Sequence, residues 1–118
     1  MPASIEPNSG LSYGWDLGES PWNTGMDGNL LLIGRAMQLA VIDRDLTAPP
    51  GSPSEGDLYI VPAGATGDWA GHATQVAVYT NSAWGFHSPK EGWIAYIKDE
   101  AKISAYKTAT GWSAGLAI

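Results

Sequence analysis

The residues of this chain that could do chemistry are two histidines, two pairs of neighbouring carboxylates and a set of serines. The histidines are His72 and His87, and there is no cysteine. Nucleophilic catalysis needs a serine or cysteine beside a general base. Ser12 and Ser113 each lie in a Gly-x-Ser-x-Gly pentapeptide, but neither pentapeptide connects a predicted strand to a predicted helix. The histidines also lack the i, i+4 spacing of a helical metal pair. We therefore expect ordinary loop or strand-end histidines, and we predict no metal site.

The carboxylate pairs are Asp43 with Asp45 and Asp99 with Glu100. A glycoside hydrolase places two carboxyl groups about 5–10 Å apart across a cleft. Asp43 and Asp45 also resemble the metal-binding Asp-x-Asp of sugar-nucleotide enzymes, but no nucleotide-binding βα unit surrounds them. The glycine-rich segment GATGDWAG precedes no lysine-bearing helix that would bind phosphate. We expect both pairs to be solvated turn charges, with Asp99 and Glu100 closing a hairpin. We therefore expect that the protein is not an enzyme and needs no cofactor.

Six tryptophans are the other unusual feature. Tryptophan and tyrosine combine a large apolar ring with a polar group, which suits cores, interfaces and sugar-stacking surfaces alike. Several of them lie at or beside predicted turns and strand ends, where a ring can face a sugar or pack under a loop. Packing in the core or between subunits is the favoured interpretation. The candidates for glycan or intersubunit contacts are Trp69, Trp84, Tyr96 and Trp112.

The composition excludes several classes of function. The 118 residues include twelve acidic and six basic side chains, for a net charge of -6, and residues 45–89 contain no lysine or arginine. Nucleic-acid binding needs clustered positive charge, so it is not expected, and neither is an anionic membrane surface. No apolar stretch approaches membrane-spanning length. Without cysteine, neither a disulfide framework nor a thiolate metal site can hold the fold together.

Residues 1–26 predict an extended N-terminal arm. They contain three prolines, four glycines and no hydrophobic periodicity. These residues contain no basic start followed by an apolar run, so the sequence does not indicate a secretory signal. The arm nevertheless carries Tyr13, Trp15 and Trp22, which are too many aromatic residues for a purely solvated tail. We therefore expect the arm to dock onto another protein.

The sequence DGNLLLIGRAMQLAV predicts an α-helix over about residues 28–41, with Asp27 as its N-cap. Other apolar residues spread around the cylinder, which is typical of a helix buried on several sides. The apolar residues at helical spacing that we select as candidate assembly contacts are Leu30, Ile33 and Met37.

The rest of the chain predicts short strands. The prolines of PPGSPSEG cannot donate to a β-ladder, so the chain turns there and enters DLYIV in extended form. From residue 74, strand-like segments alternate with turn signals; they are TQVAVYT, AWGFH, WIAYIKD, KISAYKT and GWSA. The predicted fold is mainly β with one helix (α+β), an antiparallel meander packed as a small sandwich or barrel. Residues 27–118 form a single predicted domain that follows the arm.

The segment WIAYI is apolar on both faces, with Trp93, Ala95 and Ile97 on one side and Ile94 and Tyr96 on the other. A sheet with one solvated face should alternate apolar and polar residues. One helix can shield only one side of a small sheet. We therefore expect another copy of the chain to supply part of the cover, in a homo-oligomer.

The segments APPGSPSEGDLYIV, GATGDWAGHATQVAVYTNSAWGF and SPKEGWIAYIKDE together resemble a family from tailed phages, prophages and gene transfer agents that is known as a domain of unknown function. The upstream segment GWDLGESPWNTGMDGNLLLIGRAMQLAVIDRDL is similar to the arm and helix that lead this family. The likeness spans about residues 14–112.

This resemblance implies a virion structural protein, made in the host cytoplasm and placed at the particle surface as a fibre, spike or adaptor. It implies a homotrimer that contacts other virion proteins through the arm, and it supplies no catalytic residues. Longer members carry C-terminal domains that contact host polysaccharide, whereas this sequence ends at Ile118, so we expect a structural adaptor, short fibre or decoration. The alternative is a carbohydrate-binding module that recognises host glycan through exposed tryptophan.

Overall fold

The computed structural model describes residues 4–14, 22–36 and 39–118. The chain divides into two compact units, Met1–Leu39 and Ala40–Ile118. The described residues form one α-helix and several mostly antiparallel sheets, which confirms the predicted mainly β fold with one helix. No helix within these ranges combines the length and the apolar character that a bilayer crossing requires.

The first unit begins with a two-stranded antiparallel hairpin, β1 (Ser4–Ile5) and β2 (Ser12–Tyr13). The carboxylate of Glu6 organises the turn between the strands, because it accepts hydrogen bonds from the backbone N–H of Asn8 and from the N–H and hydroxyl of Ser9. These hydrogen bonds, with the Ser9 hydroxyl first, lower the pKa of Glu6. Part of the predicted arm therefore has a local folded structure.

The helix α1 spans Trp22–Ala36, so it begins earlier than predicted and Asp27 lies within it. The glycines of WNTGMDG obscured this start. The side chain of Asn29 connects the helix to the hairpin, since it accepts a hydrogen bond from the Ser12 N–H and donates one to the Ser12 carbonyl, both at 2.8 Å.

The predicted C-terminal end of the helix is wrong. Residues 40 and 41 form β3 instead, which pairs in parallel with Tyr96 and Ile97. Pairing with a distant strand overrides the helical spacing that residues 37–41 show in the sequence. Residues 37 and 38 lie outside the described residues. The predicted boundary between residues 26 and 27 falls inside α1, and the grouping of helix and sheets in one domain stays a prediction.

The second unit contains eight strands and one 3₁₀ turn, Gly67–Trp69. In chain order the strands are β3 (Ala40–Val41), β4 (Leu58–Ile60), β5 (Val76–Thr80), β6 (Ala83–His87), β7 (Ile94–Ile97), β8 (Lys102–Lys107), β9 (Gly111–Trp112) and β10 (Leu116–Ala117). The strands predicted from residue 74 onwards are thus confirmed, while β10 was not predicted.

These strands form two sheets. One has the order β10-β8-β7-β3, with β9 paired to the end of β8, and its β3–β7 pair is parallel. The other is the antiparallel sheet β4-β5-β6. The segment after β3 joins them, because the Ile42 N–H donates to the Leu58 carbonyl and the Ile60 N–H donates to the Asp43 carbonyl. This connection brings the loop after β3 beside both sheets.

The core of the second unit is aromatic and aliphatic. Trp69 and Ala77 are fully buried, and Tyr59 and Val61 are almost so. The partly buried residues that pack against this cluster are Ile42, Leu46, Ala65, Trp84 and Phe86. The 3₁₀ turn therefore carries the largest side chain of the core, rather than a surface ring.

Candidate functional site

Arg44, in the loop after β3, holds three segments of the second unit together. Its Nε and Nη2 donate to the two carboxylate oxygens of Glu100 at 2.9 and 2.8 Å. Its Nη1 donates to the Ser113 carbonyl and its Nη2 to the Ala114 carbonyl, each at 2.7 Å. The side chains of Arg44 and Glu100 are only 15% and 20% exposed. We call this arrangement the Arg44 clamp; its hydrogen bond to Glu100 lowers the pKa of that carboxyl.

Three carboxylates lie beside the clamp and form an acidic cluster of Asp43, Asp45 and Asp99. One carboxylate oxygen of each lies within 4.8 Å of the others. Asp43 also accepts a hydrogen bond from the Asp45 N–H at 2.7 Å. Hard cations such as Ca²⁺ and Mg²⁺ prefer carboxylate oxygens, so the cluster has the donor atoms to hold one.

The predicted hairpin turn at Asp99 and Glu100 is confirmed, but the two carboxylates have different partners. Asp99 joins Asp43 and Asp45, whereas Glu100 joins Arg44. The sequence reasoning missed both contacts because they connect residues that are far apart in the chain. The sequence offered one signal for these contacts. The acidic pair Asp99-Glu100 and the triplet Asp43-Arg44-Asp45 carry opposite charges that could pair with one another.

Asp99→Asn is expected to stabilise the protein slightly at neutral pH. Desolvation, followed by the charge of Asp43, raises the pKa of Asp99. A carboxyl with a raised folded pKa binds its proton more tightly in the folded state, so the ionised form is the unfavourable one and its cost increases as the pH rises. We expect a gain of at most about 0.5 kcal/mol, because the group is exposed.

Urea titration at low and high salt measures this gain, which should shrink with added salt because salt screens exposed charges. Asp68→Asn, which removes an exposed carboxylate on the 3₁₀ turn, is the matched control. A loss of stability in Asp99→Asn at neutral pH, or a change equal to that of the control, would contradict the predicted repulsion.

An open groove of about 330 Å³ lies next to the clamp, where the two sheets meet. Residues 60–63, at the end of β4 and directly after it, line one side of the groove. Of these, Ile60 and Val61 are buried, whereas Pro62 and Ala63 reach the surface. Trp112 of β9 lines the groove together with Asp45 and the hydroxyl-bearing Thr74 and Thr110. We call it the Trp112 groove. It brings one predicted site residue and the adjacent Thr110 together with polar residues from two other parts of the chain.

The groove wall is held by specific contacts. The Trp112 indole N–H donates to the Thr74 carbonyl at 2.8 Å, and its ring packs edge-on against Tyr106 at 5.4 Å. Thr74 has a φ of 70°, a left-handed conformation that is unfavourable for a β-branched residue. Its N–H donates to the Val61 carbonyl at 2.8 Å. These bonds keep a strained residue in place at the groove.

The other predicted tryptophans lie elsewhere. Trp69 is fully buried, with its ring centroid 5.2 Å from that of Trp84 and 5.4 Å from that of Tyr59. It therefore presents no ring face to a sugar or to another chain. Trp84 is half-buried and also packs edge-on against Tyr79 at 5.1 Å. Neither tryptophan lines the Trp112 groove.

Tyr96 belongs to an apolar outer face of the sheet β10-β8-β7-β3. Ile103 of β8 lies opposite Tyr96 of β7 and opposite Leu116 of β10, so the three form a row across three strands. They are 41%, 37% and 77% exposed, and Ile94 on the same face is 59% exposed. We call these four residues the outer face. Sequence reasoning noted the apolar Ile94 and Tyr96, but it did not select Ile103 or Leu116.

The alternation of β8 runs opposite to the usual pattern. Ser104 is fully buried while its neighbour Ile103 faces outwards. The buried hydroxyl is satisfied, because Ser104 Oγ donates to the Ser113 carbonyl at 2.8 Å. The same carbonyl accepts from Arg44. A polar network on the inner side of β8 thus leaves the apolar side chains outside.

The candidate assembly residues of the first unit are partly exposed. Tyr13 and Leu30 are 54% and 63% exposed, Ile33 is half-buried, and α1 begins at Trp22. Trp15 and Met37 lie outside the described residues. The structure adds two exposed apolar side chains that sequence reasoning did not select, Ile5 at 56% and Leu31 at 54%.

Comparison with curated proteins gave no match. The family described as "Protein of unknown function (DUF2793)" matches residues 26–113, which is more than half of the chain. The match contains nearly all of the strands of the second unit, the acidic cluster, the Trp112 groove and all of the Arg44 clamp except Ala114. With that coverage, the chain belongs to the DUF2793 family of proteins of unknown function.

Proposed function

We propose that this protein is a structural component of a phage or phage-like particle. In this proposal, copies of the chain associate through the outer face, and the N-terminal unit docks onto a neighbouring virion protein. The particle assignment draws support from the resemblance of residues 14–112 to proteins of phages and gene transfer agents. The observation that carries the proposed self-association is the exposed apolar row Leu116, Ile103 and Tyr96.

A sheet face exposed to water normally carries polar residues, and this face does not. Burying a large aliphatic or aromatic side chain contributes about 1.5–3 kcal/mol. Protein interfaces commonly have an apolar centre depleted of charge and a polar rim. The outer face fits that description, since Lys98 follows β7 directly and Lys107 lies at the end of β8.

A second copy of the chain is the partner that the charges favour. The protein has a net charge of -6, which opposes association of two copies, and this repulsion is weakest where they meet through uncharged surface. The outer face offers such surface. The flanking lysines can then meet acidic side chains of the neighbouring copy. A homotrimer is the stoichiometry we propose.

Ile103→Lys tests the self-association. Ile103 is 41% exposed, so we expect the fold to tolerate the lysine while the assembly dissociates. Analytical ultracentrifugation over micromolar concentrations should show an oligomer for the wild type and a monomer for the variant. Ala83→Lys, at an exposed position of β6, is the matched control and should remain oligomeric. A wild-type protein that is monomeric throughout this range would overturn the proposed interface.

The proposed docking through the first unit rests on its exposed apolar side chains, among them Tyr13, Leu30 and Leu31. We expect Leu30→Lys to reduce incorporation of the chain into particles, because a lysine opposes burial at a docking contact. Thr24→Lys, an exposed position of the same helix, serves as the control. Mass spectrometry of purified particles measures incorporation. A wild-type chain absent from the particles would exclude the virion role itself.

A further inference from the structure

We propose that the Trp112 groove is a binding site for a neutral or amino-substituted saccharide unit. The groove and the outer face share no residue, so saccharide binding is independent of the assembly role. Trp112, Asp45, Thr74 and Thr110 together form the proposed site.

The size and the lining of the groove suit a sugar ring. Its volume of about 330 Å³ falls in the range of small-molecule sites, which is about 300–1,000 Å³. A pyranose has apolar C–H faces and a rim of hydroxyls. Pro62, Ala63 and the half-buried ring of Trp112 can take the C–H surface. Thr74 and Thr110 can exchange hydrogen bonds with the hydroxyls.

The charges of the groove exclude anionic ligands. Arg44 lines it, yet four of its hydrogen bonds already go to Glu100, Ser113 and Ala114. The carboxylate of Glu100 also neutralises the guanidinium. Asp45 remains, with Asp43 and Asp99 close behind it. The groove thus offers carboxylate acceptors to ligand hydroxyls or ammonium groups, and it repels phosphate, uronate or sialate.

The site is also pre-organised. The indole N–H of Trp112 is bonded to the Thr74 carbonyl, and Thr74 is itself bonded to the Val61 carbonyl. A ligand therefore does not have to order the aromatic wall, which lowers the entropic cost of binding. Backbone strain of the kind that Thr74 shows is common at ligand sites, where the surrounding structure maintains it.

The test titrates the full chain with two matched pairs of saccharides, lactose against sialyllactose and a chitosan trimer against a trimer of galacturonic acid. The readout is the ¹H–¹⁵N signal of the Trp112 indole, assigned with Trp112→Phe. We expect lactose or the chitosan trimer to shift this signal in a saturable manner, and the two anionic sugars to leave it unchanged. A signal that none of the four sugars shifts would overturn the proposal, as would equal binding of lactose and sialyllactose.

Two conservative variants examine the polar contacts. Asp45→Asn and Thr110→Ala are exposed changes, and each should weaken binding about 5-fold to 10-fold, the effect of one lost hydrogen bond. Asp68→Asn, outside the groove, should bind as the wild type does. Unchanged affinity in both groove variants would contradict the assigned site. Because Ile103→Lys reports on assembly alone, failure of the saccharide site and failure of the virion proposal remain distinguishable.

Discussion

Trp69→Ala is expected to lower the free energy of unfolding by about 3–5 kcal/mol, the range for truncating a large buried aromatic side chain. Trp69 is fully buried and packs edge-on or tilted against Trp84 and Tyr59. Removing the indole leaves a cavity and deprives both rings of a neighbour. Urea unfolding followed by far-ultraviolet circular dichroism measures the loss.

Two further variants refine this prediction. The indole N–H of Trp69 has no hydrogen-bond partner within the described part of the chain. Trp69→Phe should therefore cost less than Trp69→Ala, because it retains much of the ring volume and removes an unsatisfied donor. Leu30→Ala, at a 63% exposed position, is the control and should stay within about 0.5 kcal/mol. A Trp69→Ala variant as stable as this control would show that the ring is not in the core.

Arg44→Met is expected to lower the free energy of unfolding by about 2–3 kcal/mol. The substitution keeps most of the apolar stem but removes the donors to Glu100 and to the carbonyls of Ser113 and Ala114. Hydrogen bonds to charged groups contribute about 1.5–3 kcal/mol, and removing one partner of a largely buried pair leaves the other charge uncompensated.

Arg44→Lys distinguishes charge from geometry. A lysine restores the positive charge but not the planar fork that reaches both Glu100 and the carbonyls, so we expect intermediate stability. Lys98→Met removes an exposed cation that no salt bridge in the described ranges engages and should change stability by less than about 0.5 kcal/mol. Equal stability of Arg44→Met and Lys98→Met would show that the clamp contributes nothing.

The clamp also predicts a pH dependence. Its hydrogen bond from Arg44 lowers the pKa of Glu100. As the pH falls, Glu100 is protonated in the unfolded chain before it is protonated in the folded protein. The stabilisation is therefore complete above the ordinary glutamate pKa of about 4.3 and is lost as the pH falls below it. Glu100→Gln should flatten the stability curve in this acidic window only. Glu6 and Glu91 also have lowered pKa values, so the difference between variant and wild type isolates Glu100.

Local patterns predicted much of the fold. The turn signals at Asn81-Ser82 and at Glu100-Ala101 lie between strands, as expected, because turn residues act through their own backbone preferences. The helix start was misplaced because glycines hid the first turn. Its end was misplaced because β3 pairs with β7. The burial of Ser104 could not be predicted, since its hydroxyl is satisfied by the carbonyl of Ser113 on another segment.

The amino-acid order alone established a small, acidic, mainly β protein with one helix and a tryptophan-rich second half, since each of these properties comes from composition or from residues close together in the chain. Folding determined which residues become a site. The Trp112 groove unites residue 45 with residues 60–63, 74 and 110–112, and the Arg44 clamp joins residues 44, 100, 113 and 114. Such long-range contacts depend on strand pairing and on burial of the Trp69 core, which place distant residues side by side.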